Sequence, residues 1–198
     1  MLDIISKELR SCLMTFPRKK KLAFLILLYG RMLPELMDFF LSENQDFSLF
    51  ENAYEYFNEY LKDEDVKIDL EQLKDEILNA TPDSENYPTL AASFAMNAAL
   101  VGVVIASYIL NPQDSHIAEA MKYVRESLTA KIISEKGALV YNRALEEYVQ
   151  KHALFQNEKR VEENDIVFLC TLEDSLTSTN AISKVLGRAA TQGGLFSG

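Results

Sequence analysis

The sequence is poor in the residues that form tight turns. It has seven glycines, five prolines and no tryptophan among 198 residues. A many-stranded sandwich or barrel needs a turn residue every few positions. An all-β fold is therefore not expected.

Cysteine and histidine, with two residues each, are too scarce for the common metal and redox motifs. Cys12 and Cys170 are far apart in the chain and form no CxxC pair, so neither a zinc knuckle nor a redox pair is predicted. We expect two buried thiols in a reducing compartment.

Motifs for phosphate binding and for hydrolysis are also missing. The chain contains no GxGxxG, no GxxxxGK[ST] and no GxSxG. The acidic run that begins at Asp63 resembles a calcium loop, but Ile68 stands where glycine is needed and Lys74 where a bidentate glutamate is needed. We therefore predict no catalytic residue, no metal ligand and no cofactor, which argues against an enzyme.

The charge that is present is acidic and unevenly distributed. The formal net charge is −10; residues 1–34 carry +5, residues 35–85 carry −13 and the remainder −2. Such a chain repels nucleic acid. The acidic middle is interpreted as solvated helix faces, with a docking surface for a basic partner as the alternative.

The N-terminal sequence MLDIISKELR lacks the basic start, apolar run and cleavage site of a secretion signal. We therefore expect a cytoplasmic protein. One uncharged stretch, residues 89–110, is long enough to cross a bilayer, but an apolar helix of this length can equally be the central rod of a bundle. We favour the bundle and expect no membrane association.

Apolar residues recur at steps of three and four through most of the chain, for example at Phe50, Tyr54, Phe57 and Leu61. The predicted fold is all-α: a single-domain helical bundle of about seven helices around the central apolar helix. We expect the domain to cover residues 1–190, with Gly187 capping the last helix and residues 191–198 forming a flexible tail.

Three carboxylates, Glu158, Glu162 and Asp165, share one face of a predicted helix, and His116 and Glu119 share a face of another. Di-metal bundles use two Glu-x-x-His motifs, whereas this chain has one reversed copy. We interpret the three carboxylates as a solvent-exposed surface and predict no metal site.

Polar residues in otherwise apolar helices are the remaining candidates for a site. Arg31, Ser93 and Asn97 are either hydrogen-bonded to their neighbours or line a small-molecule pocket between helices. The basic first turn of the second helix, Arg18 to Lys21, either contacts an anion or pairs with the acidic middle of the protein itself.

Three segments carry a resemblance to a known family: GRMLPELMDFF from Gly30, YPTLAASFAM from Tyr87 and HALFQNE from His152. In order and spacing they are similar to the YjaG-like family of bacterial proteins, a group of unknown function. The resemblance implies an all-helical bacterial domain and brings no reaction, cofactor or partner.

The sequence thus favours a non-catalytic interaction or structural protein that binds a protein partner or forms a homo-oligomer. The alternative is a helical bundle that binds a small molecule or a metal.

Overall fold

The computed structural model describes residues 5–83, 85–137, 142–173, 176 and 178–196. In this part of the chain all regular structure is helical. The helices are α1 (Lys7–Thr15), α2 (Arg18–Ser42), α3 (Ser48–Lys62), α4 (Leu70–Ala80), α5 (Leu90–Leu110), α6 (Asp114–Lys136), α7 (Arg143–Lys151), α8 (Ala153–Thr171) and α9 (Thr179–Thr191). The all-α prediction is confirmed, although the described residues form nine helices rather than about seven.

Short polar side chains start most of these helices. Five of them accept a hydrogen bond from a backbone N–H of the first turn, which satisfies one of the donors that have no partner inside the helix. These N-cap residues are Ser6, Asp69, Thr89, Asn142 and Ser178. At the other end, Gly137 stops α6 in the left-handed conformation, with φ of 66°.

Helix α5 is the central element of the bundle, as predicted. It packs mainly against α2, α4 and α6, and both Val101 and Ile105 are fully buried. Within the described residues it is the one helix long and apolar enough to cross a membrane, with a mean hydropathy of 1.9. However, 61% of this window is buried inside the protein, as is typical of a core helix.

Helix α2 runs through Pro34 to Ser42. One predicted helix end differs from the structure, because α9 continues through Gly187 to Thr191. Gly187 is therefore not a cap. Arg188, Ala189 and Ala190, which follow it, favour helix, and the continuation brings Arg188 close to α8.

The segment expected to be a flexible tail makes tertiary contacts in its described part. The N–H of Leu195 donates to the carbonyl of Arg31 at 2.8 Å, and the Leu195 side chain is buried. The Phe196 ring lies 4.7 Å from the ring of Phe94. Residues 197 and 198 lie outside the described residues.

The two cysteines also differ from the expectation. Cys170 is exposed, Cys12 is half-buried, and their Sγ atoms are 3.3 Å apart. The prediction that both thiols are buried was wrong. The two sulfur atoms lie close together because α1 packs on α8, a contact that separation along the chain does not reveal.

Candidate functional site

Arg31 projects from α2 onto α8 and forms a buried ion cluster there. Its Nε and Nη2 atoms donate to Glu158 Oε1 at 3.0 and 2.8 Å, and Nη1 donates to Asp165 Oδ2 at 2.6 Å. The residue is 2% exposed. Burial alone would lower the pKa of the guanidinium, but the charges of Glu158, Asp165 and Glu162 raise it.

Asp165 extends the cluster to α9. Its Oδ1 atom accepts hydrogen bonds from Arg188 Nε at 2.6 Å and from Gln192 Nε2 at 2.7 Å. The Gln192 amide oxygen in turn accepts from Arg31 Nη1 at 3.0 Å. The cluster therefore ties α2, α8 and α9 together at one place.

The prediction that Glu158, Glu162 and Asp165 form a solvent-exposed surface was wrong, because all three are buried. Helical spacing places residues on one face but does not say which way that face points. The faces could be assigned only by knowing that Arg31, more than 120 positions earlier in the chain, lies opposite.

Glu162 differs from the other two carboxylates. It is fully buried, and neither carboxylate oxygen has a hydrogen-bond partner among the residues that the structure describes. Burial raises its pKa well above the ordinary value, and Glu158 and Asp165 add to that rise. With Glu162 protonated, the two arginines balance Glu158 and Asp165, so the cluster is close to neutral.

The structure does not bring the three predicted pocket residues together. Arg31 belongs to the ion cluster, whereas Asn97 Nδ2 donates to the buried Ser127 hydroxyl at 3.0 Å. Ser93 is half-buried, and its hydroxyl donates to the Thr89 carbonyl at 3.2 Å. Each of the three side chains has a protein partner.

The basic turn at the start of α2 also finds partners inside the protein. Arg18 donates to the Ile109 carbonyl at 2.9 Å, Lys20 donates to the Leu172 carbonyl at 2.9 Å, and Lys21 pairs with Asp114 at 2.6 Å. Arg18 and Lys19 both approach Glu64 of the acidic middle. Self-pairing therefore accounts for this turn.

Helices α2 and α3 enclose a groove of about 410 Å³. Leu33, Pro34, Met37 and Phe47 are among the residues that line it; Glu51 and Glu55 lie on its α3 side and are exposed. In the described part of the chain these two glutamates make no ion pair. Below we call this site the α2–α3 groove.

Gly30 shapes the inner wall of this groove. A Cβ atom at residue 30 would lie 2.8 Å from the hydroxyl oxygen of Tyr54, so only glycine lets the tyrosine take this position. Pro34 has no N–H, so the carbonyl of Gly30 lacks its usual helical donor. The groove thus combines an apolar surface with acceptors.

A second cleft, of about 340 Å³, lies between the end of α2 and the start of α5. Three aromatic rings line it, those of Phe39, Phe94 and Phe196, together with the carboxylates of Glu35 and Asp38. We call it the Glu35 cleft. Glu35 Oε1 accepts a hydrogen bond from the N–H of Phe196 at 3.3 Å, while its buried Oε2 has no hydrogen-bond partner within the described ranges.

Burial raises the pKa of Glu35 to about 7, and the charges of Asp38 and Glu158 add to the rise. Sequence reasoning missed this cleft because Phe196 lies in the segment expected to be flexible. The signal that the sequence offers is the position of Glu35. It lies four residues after Arg31 and therefore on the same side of α2.

In the described ranges, no group of three or more His, Cys, Asp or Glu side chains could hold a metal ion. The candidate His116 instead lies 6.2 Å, ring to ring, from Tyr108.

Comparison with known proteins gives a family and a fold. The family model described as "Protein of unknown function (DUF416)" matches residues 8–193. The crystal structure of a DUF416 family protein from Shewanella baltica OS155 superposes with a TM-score of 0.82 at 16% identity, covering 91% of this chain and 92% of that one. No curated protein matched the chain.

Proposed function

The chain belongs to the DUF416 family, a family of unknown function, and from that premise we propose that it is a non-catalytic interaction protein of the bacterial cytoplasm. The α2–α3 groove holds a basic, amphipathic segment of a partner protein. The name YjaG-like stays a prediction, since the match identifies the family as DUF416.

One observation carries this proposal: an apolar groove bordered by two carboxylates that form no ion pair with any cation in the described part of the chain. Met37 is 37% exposed and Leu41, one turn further on, is 60% exposed, so α2 presents apolar surface here. An amphipathic helix buries its apolar face in such a groove. Its basic face then meets Glu51 and Glu55.

The charge of the surrounding surface favours a basic occupant. Residues 35–85 carry 16 acidic side chains against three basic ones, and all but Glu35 of these acids are exposed where the structure describes them. A field of one sign speeds the association of an oppositely charged partner. It also disfavours a second copy of this acidic chain in the groove.

A designed peptide tests the proposal without knowledge of the partner. The probe is an 18-residue amphipathic helix of leucine and lysine, labelled for fluorescence anisotropy, and its control has glutamate in place of lysine. We expect saturable binding of the lysine peptide only. The double substitution E51K/E55K should lower the affinity for the lysine peptide by at least about tenfold, because one or more charge contacts are lost.

The matched control is D75K/E85K, which changes the net charge equally at exposed sites that do not line the groove. If the peptide binds in the α2–α3 groove, this variant should lose no more than about threefold in affinity, because only screened long-range charge is changed. Equal losses in the two variants would show that only net charge matters. Concentration-dependent dimers that displace the peptide would assign the groove to a second copy.

A second candidate function is the binding of an organic ammonium cation in the Glu35 cleft. Aromatic rings and carboxylates, both present in this cleft, are the groups that recognise quaternary ammonium ions. Glu35 Oε2, which is buried and has no hydrogen-bond partner among the described residues, supports this alternative.

Tetramethylammonium and its neutral analogue tert-butanol separate charge recognition from simple cavity filling. Calorimetry should detect the cation only, and Glu35→Gln should abolish binding while Glu43→Gln, at the exposed end of α2, leaves it unchanged. Because the pKa of Glu35 is about 7, affinity should rise between pH 6 and pH 8 as the carboxylate forms. Equal binding of tert-butanol would contradict this candidate.

A further inference from the structure

The two cysteines of the chain meet at the contact between α1 and α8. Their Sγ atoms are 3.3 Å apart although they are 158 positions apart in sequence. Both are free thiols; Cys170 is exposed and Cys12 is half-buried. A disulfide has an S–S distance of about 2.05 Å, so the sulfur atoms need to approach by only about 1.3 Å.

We propose that Cys12 and Cys170 are a reversible oxidation site, at which an intramolecular disulfide fastens α1 to α8. The oxidant is a small disulfide of the glutathione class. In a reducing compartment such a bond forms transiently, when the ratio of oxidised to reduced glutathione rises.

The reaction is a pair of thiol–disulfide exchanges. The Cys170 thiolate attacks one sulfur of glutathione disulfide; that S–S bond breaks, and one glutathione leaves and takes up a proton. The Cys12 thiolate then attacks the Cys170 sulfur and expels the second glutathione, which is also protonated. Two protein thiols lose two electrons and two protons, and one glutathione disulfide becomes two glutathione thiols.

The surroundings of Cys170 control the rate. Its slight burial, the hydrogen bond with Cys12 and the charge of Cys12 raise its pKa, while the ammonium of Lys20 opposes the rise. The thiolate fraction is therefore small at neutral pH and grows as pH increases. Reaction from the Cys170 side should accelerate on going from pH 7 to pH 9.

The cross-link would act at the contact between α1 and α8. Helix α1 packs against α8, where the Ser6 N–H donates to Glu163 Oε1 at 3.1 Å and Leu13 is fully buried. We expect this contact to open locally in the reduced protein. A covalent bond to α8 suppresses that opening.

The test uses the full chain in glutathione buffers, and no third cysteine interferes. With oxidised glutathione we expect the number of alkylatable thiols to fall from two to none at the monomer mass, and dithiothreitol to restore both. Amide exchange of α1 should slow by about tenfold or more in the oxidised protein, since local opening is blocked. Exchange in α4, away from the bond, should stay unchanged.

Cys12→Ser and Cys170→Ser provide the controls, with circular dichroism to verify that each is folded. In Cys12→Ser the exposed Cys170 should stop at a stable mixed disulfide with glutathione. Two results would overturn the proposal: a stable glutathione adduct on Cys170 of the unmodified chain, or disulfide-linked dimers in place of the cross-linked monomer.

Discussion

Arg31 organises the polar interior, because two buried carboxylates, Glu158 and Asp165, depend on its guanidinium. Replacing a whole buried ion cluster by apolar groups can be neutral, but removing one member leaves the others unpaired. The arrangement is therefore sensitive to a single substitution at its centre.

Arg31→Met should lower the free energy of unfolding by about 3–5 kcal/mol, as breaking a buried pair does. The loss should be smaller at pH 5 than at pH 8, because burial raises the pKa of Glu158 and protonation at the lower pH removes its unpaired charge. Urea denaturation of both proteins at the two pH values measures it. Lys67→Met, at an exposed site, should stay within about 0.5 kcal/mol of the unmodified chain.

The sequence marked Arg31 as unusual but could not identify its partners. A charged residue in an apolar helix predicts a partner in the core, whereas the carboxylates that supply it sit among Lys159 and Arg160 and look like surface. Only the packing of α8 on α2 shows that these carboxylates are buried partners of Arg31 and not a solvent-exposed surface.

Glu162 should make stability depend on pH. Its pKa is raised in the folded state, so the folded protein keeps a proton that the unfolded chain releases above about pH 4.3. Stability from this residue is therefore lost as pH rises from there towards the folded pKa. Charges on Glu158, Arg31, Asp165 and Arg125 set where the loss ends.

Glu162→Met removes this titration and fills the same space with an apolar chain. We expect its stability advantage over the unmodified protein to grow by up to about 1.4 kcal/mol per pH unit above pH 5. Denaturation curves at pH 5, 6.5 and 8 measure the trend. A difference that does not change with pH would mean that Glu162 is ionised in the folded protein.

At the scale of the helices, two glycines that lie inside regular helices have different surroundings. Comparing them separates the effect of helix propensity from the effect of packing. A Cβ atom added at Gly187 of α9 would meet no atom of the described residues within 4 Å, whereas one at Gly102 of α5 would lie 3.2 Å from the hydroxyl oxygen of Tyr29. Tyr29 is fully buried and cannot easily move away.

Gly187→Ala should stabilise the protein by about 0.5–1 kcal/mol through helix propensity alone. Gly102→Ala gains the same propensity but should be destabilising by about 1–3 kcal/mol, because it overpacks the α2–α5 contact. Thermal and urea denaturation of the two variants decide the signs. Stabilisation in both would show that α2 can shift away from α5.

Helix positions were predictable from apolar spacing, and their ends were less so. Turn chemistry agrees with the end of α6 at Gly137, because the left-handed cap suits glycine. It failed at Gly187, where the polar contacts of Arg188 and Gln192 with Asp165 support a longer helix. Such contacts between distant segments leave no trace in local spacing.

At the scale of the molecule, the segment after α9 packs on the bundle near Arg31 through Leu195 and Phe196. Leu195 is 5% exposed, and its backbone N–H donates a hydrogen bond to the Arg31 carbonyl. The Phe196 ring completes the aromatic wall beside Phe94.

Leu195→Ala should therefore lower the free energy of unfolding by about 2 kcal/mol or more, as expected for truncating a buried leucine. The loss should appear in one cooperative transition, because the segment contacts α2 rather than forming a unit of its own. Leu78→Ala, half exposed on α4, is the control with little effect. A loss below about 0.5 kcal/mol would fit the flexible tail expected from the sequence.

The position of α5 in the chain also matters while the protein is being synthesised. Two of its three main neighbours, α2 and α4, precede it in the sequence, and α6 follows directly. A nascent chain thus already carries two of the surfaces that cover this apolar segment when it leaves the ribosome. The order of the helices therefore shortens the time during which the most apolar segment, α5, is exposed and can aggregate.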